Sequence, residues 1–205
     1  MDFEYLLKEY IERGDAYCPI VLNNILYYQY SRRNYKNFLS RINLFPNLKN
    51  ESVVDVGCNN GFNLIHLKKY HNAGMSLGLD IDFRSLNVAK YIKNQEKIHN
   101  LEFSAFDLND ELFLEELPAF DNYLFLSVVS LFTVHYNLDF DTVVRRLFEK
   151  TKKNLYVEPI NHEMFKKRKY KRLYMEYFSK LGSVEFLGYT SFADPERRGI
   201  FKISK

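Results

Sequence analysis

Several things are scarce or missing in these 205 residues, and each absence narrows the field. Tryptophan is absent, and Cys18 and Cys58 are the only cysteines. One thiol sits inside a glycine loop, so a disulfide framework is not expected and a reducing, cytoplasmic setting is. No apolar run approaches the ~20 residues of a membrane span. The acidic start MDFEYLLKEY lacks the basic-then-apolar layout of a signal peptide. There is no His-x-x-x-His, and the two cysteines do not follow metal-site spacing, so no metal is expected. Internal repeats and low-complexity tracts are also missing. The net charge of +3 is too small to argue for or against nucleic acid by its total. What is present is apolar and aromatic: 46% of the chain is hydrophobic, with 18 Phe and 16 Tyr. That is enough for one sizeable core, while the length is short for two domains.

The most informative stretch is VVDVGCNNGFN, residues 53–63. A β-branched run empties into a loop punctuated by Gly57 and Gly61, the pattern of a buried parallel strand turning into a helix. Gly57 allows a positive φ or a close backbone approach. Gly61 stands where the next helix begins and lets it pack tightly. The spacing is neither G-x-G-x-x-G nor a P-loop, since no Gly-Lys-Ser/Thr follows. Nineteen residues after Gly61, the apolar strand SLGLD ends in Asp80. A strand–loop–helix–strand–acid unit puts that carboxylate beside the loop, where it can accept ribose hydroxyls.

VVDVGCNNG with GLDID resembles the S-adenosylmethionine site of class I (Rossmann-like) methyltransferases; a βαβ unit that binds another nucleotide, or none, is the alternative. The resemblance implies an α/β fold: a Rossmann-like, doubly wound, mostly parallel seven-stranded sheet with a C-terminal antiparallel hairpin. An N-terminal helical cover over residues 1–50 would act as a substrate lid on a domain at 51–205. S-adenosylmethionine is then the expected cofactor. It would be held by Asp55, Gly57, Cys58, Asn59, Asn60, Gly61, Asp80 and Ile81, with Phe106 and Asp107 at the adenine and Ser127 and Val128 near the methyl. Asp107 equally suits a cap on the following turn.

Along the chain, Phe3, Leu6, Leu7, Tyr10 and Ile11, then Tyr35, Phe38, Leu39 and Ile42, keep helical spacing, so residues 1–50 read as helical. Between them, Tyr27, Tyr28, Tyr30 and Arg33 either line a substrate pocket or pack the cover onto the sheet. Asp82 is a helix N-cap ahead of Leu86, Ala89 and Ile92. Strands are expected at 101–106, 123–126 and 155–157. Ligands of open α/β sheets bind outside the carboxyl ends of the strands. His135, the first imidazole past the fourth strand, is therefore a candidate general base or a structural loop residue. Glu158 ends the fifth strand, where it either orients a substrate hydroxyl or amine or closes the strand by pairing with an arginine.

The acceptor is less legible. Methyl transfer from a sulfonium needs alignment in a dry pocket more than a charged apparatus, so an acceptor site leaves little signature. The reading is transfer to an oxygen or nitrogen of a small molecule. An RNA acceptor is the alternative. Lys166, Lys167, Arg168, Lys169, Lys171 and Arg172 surround Tyr170, and basic residues mixed with aromatics suit single-stranded nucleic acid, although such a run also makes a solvated helix face. GCNNG, GLDID, FLSVVSLFTVH and the closing VEP are similar to the RNA 5′-phosphate methyltransferases. The chain departs from them in having Leu131-Phe132 where a Lys-Trp pair stands. A non-catalytic donor-binding subunit is the reading from another class.

Overall fold

The computed structural model describes residues 2–12, 16, 18–29, 34–107, 113–128, 139–159, 170–190 and 198–205. Helix α1 (Phe3–Glu12) leads into a hairpin of β1 (Ile20–Leu22) and β2 (Ile25–Tyr28), and α2 (Tyr35–Ile42) follows. The α/β core then alternates: β3 (Val53–Val56), α3 (Phe62–His71), β4 (Ser76–Asp80), α4 (Phe83–Gln95) and β5 (Leu101–Ala105). The short α5 (Phe113–Glu116) precedes β6 (Phe120–Leu126), and α6 (Phe140–Lys150) precedes β7 (Thr151–Glu158). The described chain closes with α7 (Tyr170–Phe178), β8 (Ser183–Tyr189) and β9 (Gly199–Ser204).

The seven-stranded sheet runs β5-β4-β3-β6-β7-β9-β8. Its first five strands are mutually parallel, and β9 is antiparallel to both β7 and β8. This is the doubly wound sheet with a terminal antiparallel hairpin that the resemblance implies. Both faces are covered, and the period-2 alternation of each strand divides its side chains between two cores. Leu124, Leu126 and Tyr156 join the core under α1, β1, α2, α3 and α4. Tyr123, Phe125, Leu155 and Val157 join the core under α6 and α7. Asp55 and Glu158 have the parity of the first set, so both carboxylates project toward the face that α2 and α3 cover.

The N-terminal region departs from the all-helical expectation. Residues 20–28 form an antiparallel hairpin around a two-residue turn at Asn23 (φ 51°) and Asn24 (φ 63°). Two consecutive left-handed residues make the turn whose twist matches paired strands, and asparagine tolerates that conformation best after glycine. The flanking IVL and ILYY are β-branched and aromatic, which suits strands. Local chemistry here favours a hairpin over continuation of the helical pattern on either side.

Capping fixes where the core helices start. Asp82 accepts the amides of Arg84 and Ser85 at the head of α4, as its position predicts, and Asp139 accepts that of Thr142 ahead of α6. No helix among the described residues is long and apolar enough to cross a membrane.

Candidate functional site

The loop between β3 and α3 is pinned from beneath. The amides of Gly57 and Cys58 both donate to the Leu79 carbonyl, at 2.7 and 2.9 Å, which anchors the loop to the end of β4. Gly57 has φ 78°, and a Cβ there would lie 2.3 Å from Val128 Cγ1. Gly61, at φ 74°, opens α3 and would drive a Cβ to 2.5 Å from the Phe103 ring. Both glycines are therefore required by conformation and by space.

Asp80 stands beside this loop. Its Oδ2 accepts the Asn59 amide at 2.7 Å and its Oδ1 the Asp82 amide at 2.9 Å. Two backbone amides therefore hold the Asp80 carboxylate in a fixed orientation beside the loop. Half-exposed Ile81 follows it, and buried Phe106 and exposed Asp107 end the neighbouring β5, the Phe106 amide donating to the Asp80 carbonyl. Cys58 is buried, and desolvation together with Asp55 and Asp80 pushes its thiol well above the ordinary range, so it is not a nucleophile.

The N-terminal segment meets the loop directly. Tyr10 donates to Asn59 Oδ1 at 2.6 Å, and Asn60 Nδ2 donates to the Pro19 carbonyl at 2.9 Å. Tyr28 spends its hydroxyl on the Ala16 carbonyl and sets its ring edge-on to Tyr10; exposed Tyr27 sits edge-on to Phe3. These contacts of Tyr27 and Tyr28 are all made within the N-terminal segment. Tyr30, Arg33 and His135 lie outside the described residues.

At the carboxyl ends of β6 and β7, Leu126 is level with Glu158. Ser127, the next residue, has φ 62°, a rare conformation for serine. Its hydroxyl donates to Glu158 Oε2, and Thr190 donates to Oε1 at 2.6 Å. Arg41 of α2, buried, brings Nη1 to 3.4 Å from Glu158 Oε2 and 3.3 Å from Ser127 Oγ. Glu158 thus has the arginine pairing of its two alternatives, with both oxygens engaged. The other guanidinium nitrogen donates to Asn63 Oδ1 at 2.7 Å, and Asn63 Nδ2 donates to Asp55 Oδ2 at 3.0 Å.

Asp55 Oδ1 is buried without a hydrogen-bond partner. Burial raises the Asp55 carboxyl to about 6, with Asn63 and Arg41 opposing and Asp80 adding to the rise. Arg41, Asn63 and Thr190 went unread in the sequence. Arg41 carried a signal: it sits one turn beyond Phe38 and next to Ile42, on the apolar face of α2, where an arginine needs a buried partner. Among the described residues no group of three or more His, Cys, Asp or Glu is placed to hold a metal.

A pinned glycine loop, an acid at the end of the adjacent strand and a switch in strand order between β3 and β6 are the marks of the nucleotide end of a Rossmann-like fold. The family described as "Methyltransferase domain" matches residues 47–181, and the chain belongs to it. No curated protein matches by sequence. Among solved structures, the chain is similar to the bifunctional kinase-methyltransferase WbdD at 20% identity and TM-score 0.60, covering 83% of this chain and 37% of that one. It is also similar to magnesium protoporphyrin IX methyltransferase (ChlM) from Synechocystis PCC 6803, solved with bound SAM, at 16% identity and TM-score 0.59, covering 83% and 77%. The same enzyme with bound SAH matches at 15% identity and TM-score 0.56, covering 78% and 76%. The chain spans less than two fifths of the length of WbdD. These likenesses establish the class I methyltransferase fold.

The residues at the loop fit S-adenosylmethionine. Asp80 presents oriented acceptors suited to a ribose, Gly57 and Gly61 keep side chains out of the loop, and the orphaned Asp55 Oδ1 offers a negative acceptor to a ligand that carries cations.

Proposed function

We propose that the protein transfers a methyl group from S-adenosylmethionine to an oxygen or nitrogen of a small molecule. The observation that carries this is Asp80, a carboxylate at the end of β4 that the Asn59 and Asp82 amides hold in orientation beside the glycine loop. Asp55, Gly57, Cys58, Asn59, Asn60 and Gly61 form the floor under the donor, Asp80 takes the ribose, and Ile81, Phe106 and Asp107 border the adenine. Ser127 and Val128 mark the carboxyl end of β6, where the acceptor approaches. When bound, the donor supplies an electrophilic methyl on a sulfonium. The chain's part is to align the acceptor in line with it and exclude water. His135 takes the acceptor's proton, and the N-terminal residues 1–50 close the pocket as a lid.

An RNA acceptor is the second reading, and the basic run is what favours it. Of its cations Lys171 and Arg172 are described, and both side chains are exposed, Lys171 4.8 Å from the centre of the Phe186 ring and Arg172 3.3 Å from Glu176. The test is methyl transfer from labelled donor to a panel of hydroxyl and amine compounds beside 5′-monophosphate RNA. Turnover on a small molecule, with a loss of at least about a hundredfold in His135→Ala at unchanged donor affinity, is expected for a general base. Turnover confined to the RNA, or a His135→Ala variant as fast as the parent, contradicts the reading.

A further inference from the structure

Arg41 lies on a helix that precedes the methyltransferase core, yet its guanidinium joins the two halves of the site. Its surroundings are fully buried: Arg41 is 2% exposed, Asp55 1% and Glu158 0%. The Arg41 Cζ also lies 4.9 Å from the centre of the Phe38 ring on its own helix. Arginine only donates, so the Asn63 atom facing Nη2 must be the amide oxygen, and the amide NH2 must then face Asp55. The direction of the chain Arg41 → Asn63 → Asp55 is therefore fixed at its arginine end. This ties down Asp55 Oδ2 and leaves Oδ1 as the orphan. The opposite guanidinium nitrogen reaches Ser127 Oγ and Glu158 Oε2, beside the left-handed residue that ends β6.

We propose that Arg41 is a positioning residue of the donor site: through Asn63 it holds Asp55 ionised and oriented toward the donor's cationic end, and through Ser127 and Glu158 it fixes the acceptor edge. This rests on the donor site proposed above. The balance of buried charges supports it. Among the described residues, the carboxylates Asp55 and Glu158 share one guanidinium, which leaves a net negative charge there when both are ionised. The donor brings a sulfonium and an ammonium against a single carboxylate. The groups bearing on Asp55 are Arg41 from α2, Asn63 from α3, the buried thiol of Cys58 and the carboxylate of Asp80 from β4. Of these only Arg41 is cationic.

The test is titration of the full chain with S-adenosylmethionine between pH 5 and 8, for the parent, Arg41→Gln and Arg41→Lys. Asn63→Leu serves as a second route that spares the arginine. In the parent, donor affinity rises with pH through about 6 as Asp55 ionises. Arg41→Gln is expected to weaken binding at pH 7 by more than about tenfold and to move the midpoint up by about one pH unit or more. Arg41→Lys, which keeps the charge and loses the fork, moves the midpoint less while affinity still falls. Asn63→Leu moves it upward too. A purely structural Arg41 lowers the melting temperature but leaves the affinity and midpoint of the folded variants at parental values, and that result overturns the proposal. A parent that binds no donor at any pH overturns instead the donor site on which it rests.

Discussion

At the scale of single residues, the site is specified by what cannot be changed without a clash. Gly57 combines a left-handed backbone with a Cβ path that ends 2.3 Å from Val128 Cγ1. Alanine there carries about 1–2 kcal/mol of conformational strain and forces Val128 to shift as well. Gly57→Ala is expected to lose at least about 2 kcal/mol of unfolding free energy in denaturant titration. Val128→Ala in the same chain should recover the part due to the clash and leave the strain. A Gly57→Ala variant as stable as the parent contradicts a loop held by these two constraints. The loop was readable from sequence because the positive φ of Gly57 and Gly61 is a local demand that the glycine spacing displays, whereas the close contacts with Val128 and Phe103 join distant segments and left no local sign.

At the scale of elements, legibility follows sequence separation and local chemistry. The strands at 53–56 and 76–80 were plain because VVDV and SLGLD are short apolar runs bounded by turns. The β1–β2 hairpin was missed because helical spacing on both sides was extended through it, although the Asn23-Asn24 pair between two β-rich runs was a usable hairpin signal. Arg41 signalled locally only that it needs a buried partner; that the partner is Glu158, 117 residues away, had no local signature. An arginine was one of the two partners read for Glu158, but the arginine that pairs with it comes from a helix outside the core unit. The joining of α1 to the donor loop through Tyr10 and Asn59 was illegible for the same reason: it depends on where two distant segments meet.

At the scale of the whole molecule, two buried groups set opposing pH dependences of stability. Asp55 is raised to about 6, so between its unfolded value near 4 and about 6 the folded state binds more protons, and stability falls as pH rises. His66, buried in α3 and stacked on Phe62, is lowered to about 4 by desolvation. Between about 4 and 6.5 the unfolded state binds that proton instead, so His66 makes stability rise with pH over nearly the same window. The two trends oppose each other. Removing the histidine with His66→Leu should uncover the Asp55 trend: between pH 4.5 and 6 the slope of unfolding free energy becomes more negative, by up to about 1.4 kcal/mol per pH unit. Denaturant midpoints across that range measure it, and an unchanged slope contradicts a neutral, buried His66.

Both ends of the site depend on donor binding, and isothermal titration with S-adenosylmethionine and S-adenosylhomocysteine tests it most directly. Binding of both ligands by the parent in the micromolar range is predicted, with Asp80→Ala weaker by more than about tenfold, or about 1.4 kcal/mol. No binding of either ligand, or an Asp80→Ala variant that binds as tightly as the parent, would contradict the role of the glycine loop and the acid beside it in holding the donor.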